Sequence, residues 1–298
     1  MTKILITGGS GLLGSKLIEL SDKKWDIFPT YKNNKIFHNN AFPLELKNKK
    51  AIEKLIDKIK PDLVIHTAAI TNIDWAESHP NETFEINVNS TKSLLSCAKN
   101  IEADFFYIST DSVFDGEKGC YNENDIPNPI NVYSKSKFEA EKIVEEYEQT
   151  TVIRTSFFGF STFSERESFP IQILNNLIHK KPIYAAVDKI NNSLMVSKLV
   201  EAIYCLYEKN VDGIFHVAST DYMNSYEFAV NASKFLGVDK NFINKITLKN
   251  IFSDKKLVCR PLNTSLNTRK ASKFITLPTM KESIKILCEE YKRNVLRN

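Results

Sequence analysis

Cysteine is scarce and wrongly spaced for any covalent or metal framework: Cys97, Cys120, Cys205, Cys259 and Cys288 are odd in number, far apart, and form no Cys-x-x-Cys pair or Cys/His ligand set. That excludes a disulfide scaffold and a zinc site, and it fits unpaired thiols in a reducing cytosol. Long apolar runs are missing too: no segment approaches the roughly 20 apolar residues of a membrane span, and no charged leader separates Met1 from the first strand-like run. The sequence therefore reads as a soluble, cytoplasmic chain with no membrane partner and no metal. An excess of one charge sign is also absent, since 40 Lys and Arg face 36 Asp and Glu for a net charge of +4, with no basic block. This excludes the electrostatic footprint of a nucleic-acid binder and points to a small-molecule partner.

There is no internal repeat, low-complexity tract or flexible linker in the 298 residues, which are enough for one large domain or a domain and a half. Lys3-Ile4-Leu5-Ile6-Thr7 has the apolar, β-branched form of a parallel strand buried on both faces. It runs straight into Gly8-Gly9-Ser10-Gly11-Leu12-Leu13-Gly14, after which apolar residues follow at helical spacing. Residues 25–31 read as a second strand, short or irregular because Pro29 lies inside it. The alternation continues with a weak strand at 42–46, a helix at 50–59, a strand at 62–66, one helix over about 80–99, a strand at 105–109, a helix at 132–147 and a strand at 152–154. Such alternation predicts an α/β fold, a doubly wound parallel Rossmann-like sheet. Beyond about Phe157 the rhythm loosens into helices near 171–179, 197–208, 225–236 and 280–292 with short strands near 182–185 and 213–217. The expected division is residues 1–157 as the NAD(P)-binding domain and 158–298 as a smaller α/β region that is mainly substrate-binding, with elements near 186–210 returning to the first.

The glycines at Gly8, Gly11 and Gly14 follow a strand and open a helix, where backbone N–H groups can approach a pyrophosphate whose charge the helix N-terminus favours. Gly8, Ser10, Gly11, Leu12, Leu13 and Gly14 are thus the expected seat of a dinucleotide. An NAD-preferring site carries an acid about 20 residues further on, at the ribose 2′-hydroxyl. Here the second strand ends Thr30-Tyr31-Lys32, so Tyr31 and Lys32 face the ribose and NADP(H) is favoured over NAD(H) on charge. A second constellation is Tyr133-Ser134-Lys135-Ser136-Lys137, in which Tyr133 and Lys137 stand one turn apart on the same helix face. A lysine ammonium lowers the pKa of a neighbouring phenol and makes it a usable proton donor or acceptor. Thr110, in Ser109-Thr110-Asp111 at the end of the preceding strand, can bond the same carbonyl oxygen that Tyr133 would protonate. His66 reads as a core histidine, and His38, His79, His179 and His216 lack a partner at ligand spacing.

With these landmarks, and with Ala68-Ala69-Ile70-Thr71-Asn72, Ile86-Asn87-Val88, Ser109-Thr110-Asp111-Ser112-Val113-Phe114-Asp115-Gly116, Asn131-Val132-Tyr133 and Arg260-Pro261-Leu262-Asn263 in order, the sequence resembles the extended short-chain dehydrogenase/reductase superfamily. Within it the chain is similar to the dTDP-4-dehydrorhamnose reductase family of sugar-nucleotide reductases. The resemblance implies Thr110, Tyr133 and Lys137 as the catalytic set, with Tyr133 and Lys137 also on the cofactor and Lys137 on its nicotinamide ribose. It implies Ala68, Ala69 and Thr71 along the cofactor, and Thr71, Asp111, Ser112 and Arg260 toward a nucleotide-sugar substrate. A guanidinium at Arg260 would match diphosphate oxygens, or tie the C-terminal segment to the core. Reduction of a nucleotide-linked 4-keto-6-deoxy sugar is the expected activity, and a homodimer is compatible with it.

The chain departs from the family pattern at Ser112, where tyrosine is common, at Ser134, where glycine is common, and at Asn267, where aspartate is common. Phe158, Phe160, Phe163 and Phe169 lie in a stretch unlike the family's, and read as core or a substrate loop. A 4,6-dehydratase is disfavoured, because the related dehydratases place an Asp-Glu pair after the threonine and here Asp111-Ser112 follows. Two alternatives stay open: a nucleotide-sugar epimerase, which shares the Tyr/Lys chemistry, and a non-catalytic NADP-binding regulatory subunit resembling the methionine adenosyltransferase β subunit.

Overall fold

The computed structural model describes residues 1–163, 168–248 and 258–295. The opening apolar run forms β1 (Thr2–Thr7), the glycine loop follows, and α1 (Leu12–Glu19) begins at once. β2 (Trp25–Tyr31) pairs in parallel with β1, and β3 (Phe42–Pro43) adds a two-residue edge. β2 is a regular seven-residue strand despite Pro29. Thr30 O accepts from Gly9 N on the inner side while Tyr31 O accepts from Leu44 N on the outer side, so alternation turns the proline nitrogen outward, where no ladder bond is missed.

α2 (Lys49–Ile59) buries Ile52, Leu55, Ile56 and Ile59 at helical spacing, and the Asn48 side chain caps it by accepting from Ala51 N. β4 (Leu63–His66) is wholly buried. The single helix expected over 80–99 is instead broken. α3 (Ile73–Ser78) precedes it, α4 (Pro80–Phe84) starts on proline, Glu85–Asn89 forms a π turn, and α5 (Ser90–Asn100) completes the crossover. β5 (Asp104–Ile108), α6 (Val132–Val144) and β6 (Thr150–Arg154) follow.

The C-terminal region contains β7 (Phe157–Phe158), α7 (Phe169–Ile178), β8 (Ile183–Ala186), β9 (Ile190–Asn191), β10 (Leu194–Met195) and α8 (Val196–Glu208). Then come β11 (Gly213–His216), β12 (Met223–Asn224), α9 (Ser225–Leu236), β13 (Ile243–Ile246) and α10 (Met280–Val295). β11 returns to the main sheet beside β6, while β7 pairs β10, β8 pairs β13 and β9 pairs β12. Phe158 is buried against Phe228, Phe160 packs at the core margin, and Phe169 lines the main cleft; residues 164–167 of that stretch lie outside the described residues.

The main sheet runs β3-β2-β1-β4-β5-β6-β11, every pair parallel, and it is the doubly wound Rossmann-like sheet that the alternation predicts. Ile4, Ile6, Ile65, Phe106 and Ile153 face α1 and α8, while Leu5, Val64, Phe105, Tyr107 and Val152 face α2, α5 and α6. Burial on both faces explains why these strands read as continuous apolar runs. The strand order reverses between β1 and β4, and the crevice at such a switch point is where open α/β sheets bind ligands.

Candidate active site

A cleft of about 960 Å³ opens at that switch point, running from Gly8, Ser10, Gly11, Leu12 and Leu13, past Ala68, Ala69 and Thr71, to Thr110 and Tyr133. Gly8 has φ +70, and a Cβ on it would meet the Ala68 backbone at 2.8 Å. Gly14 lies beneath the cleft, where a Cβ would strike Gly8 O at 2.3 Å. Both glycines therefore let the loop close on itself and leave its upper surface bare. Gly11 is the N-cap of α1 with no side-chain cap bond, so the first amides of the helix meet the cleft uncapped. A dinucleotide pyrophosphate fits this cradle. Further along, Ser109 and Thr155 line the cleft with buried hydroxyls that have no partner among the described residues, which is the state expected of groups that bond a ligand.

The start of α6 is pinned three ways. Asn131 Oδ1 accepts from Ser134 N at 2.9 Å, Asn131 Nδ2 donates to Cys259 O at 3.1 Å, and Val132 N donates to Glu77 Oε2 at 2.9 Å. This fixes Tyr133 on the cleft wall, with Lys137 and Glu141 one and two turns below it on the same face. Burial pushes the Tyr133 phenol up to about 12, against a hydrogen bond with Thr110 that lowers it and the Asp111 charge that adds to the rise. The phenol is therefore protonated at neutral pH. Lys137, 3 % exposed, donates to Ile108 O at 2.7 Å and lies 4.0 Å from the centre of the Tyr107 ring. Burial lowers its pKa to about 7, opposed by the Glu141 carboxylate. Its effect on Tyr133 therefore differs from the sequence expectation: Lys137 is turned to β5, and the phenol is raised by burial rather than lowered by the ammonium.

Behind this set lies a relay that the sequence did not reveal. Asn87, in the π turn, accepts from Ile70 N at 2.8 Å and donates to Ile70 O at 3.1 Å and to Ser136 Oγ at 2.9 Å. Ser136 Oγ in turn donates to Tyr133 O at 2.7 Å. One buried amide thus joins the cleft wall at Ile70 to the helix carrying Tyr133, and π turns recur at functional sites for this kind of re-aiming. His66 is buried with Nδ1 2.6 Å from Thr7 Oγ1 and Nε2 3.0 Å from Thr91 Oγ1. Thr91 Oγ1 donates to Asn87 O, so His66 Nε2 donates to Thr91 and Nδ1 accepts from Thr7. Burial, helped by Lys137, holds this imidazole down to about 3 and hence neutral.

The residues expected on the substrate side are arranged less simply. Thr71 lines the cleft. Asp111 also lines it, but its carboxylate is occupied: Thr264 Oγ1 donates at 2.5 Å, and Thr110 Oγ1 and Ser112 Oγ each donate at 3.2 Å. Ser112 turns its hydroxyl onto Asp111 and lies outside the cleft lining. Arg260 also lies outside the lining and pairs with Asp74 at 2.8 Å, which joins the C-terminal segment to α3. At the opposite end Tyr31 and Lys32 line the cleft, and Lys32 Nζ sits 2.8 Å from Glu45 Oε2. Glu45 reaches Lys32 from just beyond β3, a neighbour that the tip of β2 alone does not reveal. Among the described residues no cluster of His, Cys, Asp and Glu could hold a metal, and no helix is long and apolar enough to cross a membrane.

The parallel sheet, the cleft at its switch point and the likeness to known reductases define one class, the NAD(P)-dependent oxidoreductases of the extended short-chain dehydrogenase/reductase type. More narrowly, the RmlD substrate binding domain family matches residues 1–293, and the chain belongs to that family. It is 28% identical over 284 residues to a dTDP-4-dehydrorhamnose reductase of Aggregatibacter actinomycetemcomitans, covering 91% of this chain and 92% of that protein. It is 26% identical over 285 residues to the methionine adenosyltransferase 2 subunit beta of Xenopus laevis, covering 91% and 82%. The crystal structure of dTDP-4-dehydrorhamnose reductase from Bacillus anthracis in complex with NADP superposes with a TM-score of 0.87 at 25% identity, covering 97% of this chain and 100% of that one.

Proposed function

We propose that this chain reduces the C4 carbonyl of a nucleotide-linked 4-keto-6-deoxy sugar with NADPH, dTDP-4-dehydrorhamnose going to dTDP-L-rhamnose as the leading case. The observation that carries the reading is the meeting of Thr110 and Tyr133, backed by Lys137, at one end of a cleft whose other end is the bare glycine loop. When bound, the reduced nicotinamide supplies the hydride that C4 receives. Tyr133, protonated at neutral pH, gives its proton to the oxygen left behind, and Thr110 donates a hydrogen bond to the same oxygen as negative charge develops on it. Lys137 places positive charge beneath the pair, and the Thr110 hydroxyl makes its bond by turning its one proton away from Asp111 Oδ1, to which it otherwise donates. Residues 158–298 supply mainly the sugar-nucleotide side. In this reading Arg260 meets the diphosphate after exchanging Asp74 for it, and the absence of a glutamate beside Asp111 speaks against elimination chemistry.

The near-equal similarity to a methionine adenosyltransferase β subunit favours one rival, an NADP-binding regulatory subunit without turnover. Purified protein mixed with NADPH and dTDP-4-dehydrorhamnose separates the two: the reductase consumes the nicotinamide absorbance in step with substrate. Tight NADPH binding without consumption, across a panel of keto-sugar nucleotides, would overturn the enzyme and leave the subunit.

A further inference from the structure

The adenosine end of the cleft holds charges that cancel. Lys32 and Glu45 are 2.8 Å apart, and Lys47 and Glu82 are 2.6 Å apart, with Lys32, Glu45 and Glu82 all on the cleft wall. Each of the two lysines is paired with a carboxylate, so neither stands unopposed toward a 2′-phosphate, although the tip of β2 by itself presents a lysine and no acid. The pairing follows from the edge of the sheet. β3 aligns Phe42 with Thr30 and Pro43 with Tyr31, and Leu44 N donates to Tyr31 O, so the next residue, Glu45, arrives beside Lys32. Leu44 is buried in the core beneath, which fixes where Glu45 emerges. Its Oε1 accepts from Lys47 N at 3.3 Å, leaving Oε2 directed at the Lys32 ammonium.

We propose that Glu45 sets the nicotinamide-cofactor selectivity of this protein by competing with the ribose 2′-phosphate for Lys32, a proposal that rests on the cofactor reading above. With NADPH, the phosphate takes Lys32 and brings its negative charge close to the displaced carboxylate. With NADH, the ion pair stays intact and the carboxylate can accept the ribose 2′-hydroxyl. Lys32 and Glu45 therefore pull in opposite directions: the lysine toward the phosphorylated cofactor, the glutamate toward the plain one. Both side chains are about half exposed, so the pair is weak enough for a phosphate to break, and each residue's influence is a matter of severalfold.

Equilibrium dissociation constants of NADPH and NADH, read by quenching of Trp75 on the cleft wall, test this without any turnover. Glu45→Gln should raise the preference for NADPH over NADH about fivefold, and Lys32→Gln should lower it by at least as much. In the Lys32→Gln background the Glu45→Gln effect should shrink to less than half, since the contested cation is gone. A ratio unchanged within about twofold in Glu45→Gln, or an effect of the same size with and without Lys32, overturns the proposal. If the unaltered chain binds neither dinucleotide, the cofactor reading itself fails and takes this one with it; if it binds both and the ratio is immobile, only this one fails.

Discussion

Tyr133→Phe should lower kcat by about 10²- to 10⁴-fold while NADPH binding stays within about twofold of the unaltered chain, because the substitution removes one proton donor and keeps the ring on the cleft wall. The start of α6 does not depend on the phenol, since Asn131, Glu77 and Cys259 O fix it. A rate within tenfold of the original would remove Tyr133 from the chemistry. The companion effect is in pH. Lys137 carries its charge below about 7 and sheds it above, so kcat/KM, which reports groups of the free protein, should decline as pH rises through that value. Lys137→Met should be slow at every pH and lose that limb of the profile.

The largest change in stability is expected from Glu141→Gln. Glu141 is wholly buried and Arg154 is 2 % exposed; Nη2 of the arginine lies 2.8 Å from Oε2, and its Nε is 3.2 Å and 3.1 Å from the two carboxylate oxygens. The guanidinium also lies 5.3 Å from the centre of the Phe114 ring, and Nη1 is 3.5 Å from Nε2 of His216. His216 cannot take over the charge balance. Burial, reinforced by Arg154, holds it down to about 3, and its Nδ1 donates to Tyr121 O. Losing the carboxylate leaves a cation without a counter-charge in the core, a loss of about 3–5 kcal/mol by denaturant titration. Replacing both partners with apolar residues, Glu141→Leu with Arg154→Met, should recover most of it. An equal loss in the single and double variants would show that packing, not charge, sets the cost. Because Glu141 also supports the charge on Lys137, any folded Glu141→Gln protein should show its decline in kcat/KM at lower pH.

Much of this was legible in the sequence, for physical reasons that differ by element. The strands of the main sheet are buried on both faces and read as short apolar runs, so β1, β4, β5 and β6 stood out. The glycine loop and the Tyr133, Lys137 spacing are local patterns, and local patterns survive without coordinates. What stayed hidden depends on distant partners. The π turn comes from one residue too many between α4 and α5, which periodicity smooths over; Ile86-Asn87-Val88 marked the place without saying why. The pairing of Glu45 with Lys32 stayed hidden because it follows from the two-residue ladder of β3 on β2. Asp111 looked available to a ligand because its main partner, Thr264, lies 153 residues further on. Arg260 found Asp74, 186 residues away, for the same reason.

That separation of 153 residues has a kinetic meaning. A growing chain can complete β1, the glycine loop and the switch point early, but the carboxylate beside Thr110 has no Thr264 until a further 153 residues have been made. Closing so long a loop comes late, after nearer contacts have formed. The molecule should therefore acquire its dinucleotide cradle before its reactive end. Pulse-labelled hydrogen exchange during refolding should show the amides of β1 and α1 protected in an earlier phase than Tyr121 N and Asn267 N, which bond Ser265 O and Tyr121 O across the long loop, and simultaneous protection would refute that order. An unfinished or C-terminally clipped chain would then be able to hold a reduced dinucleotide without an assembled site to discharge it.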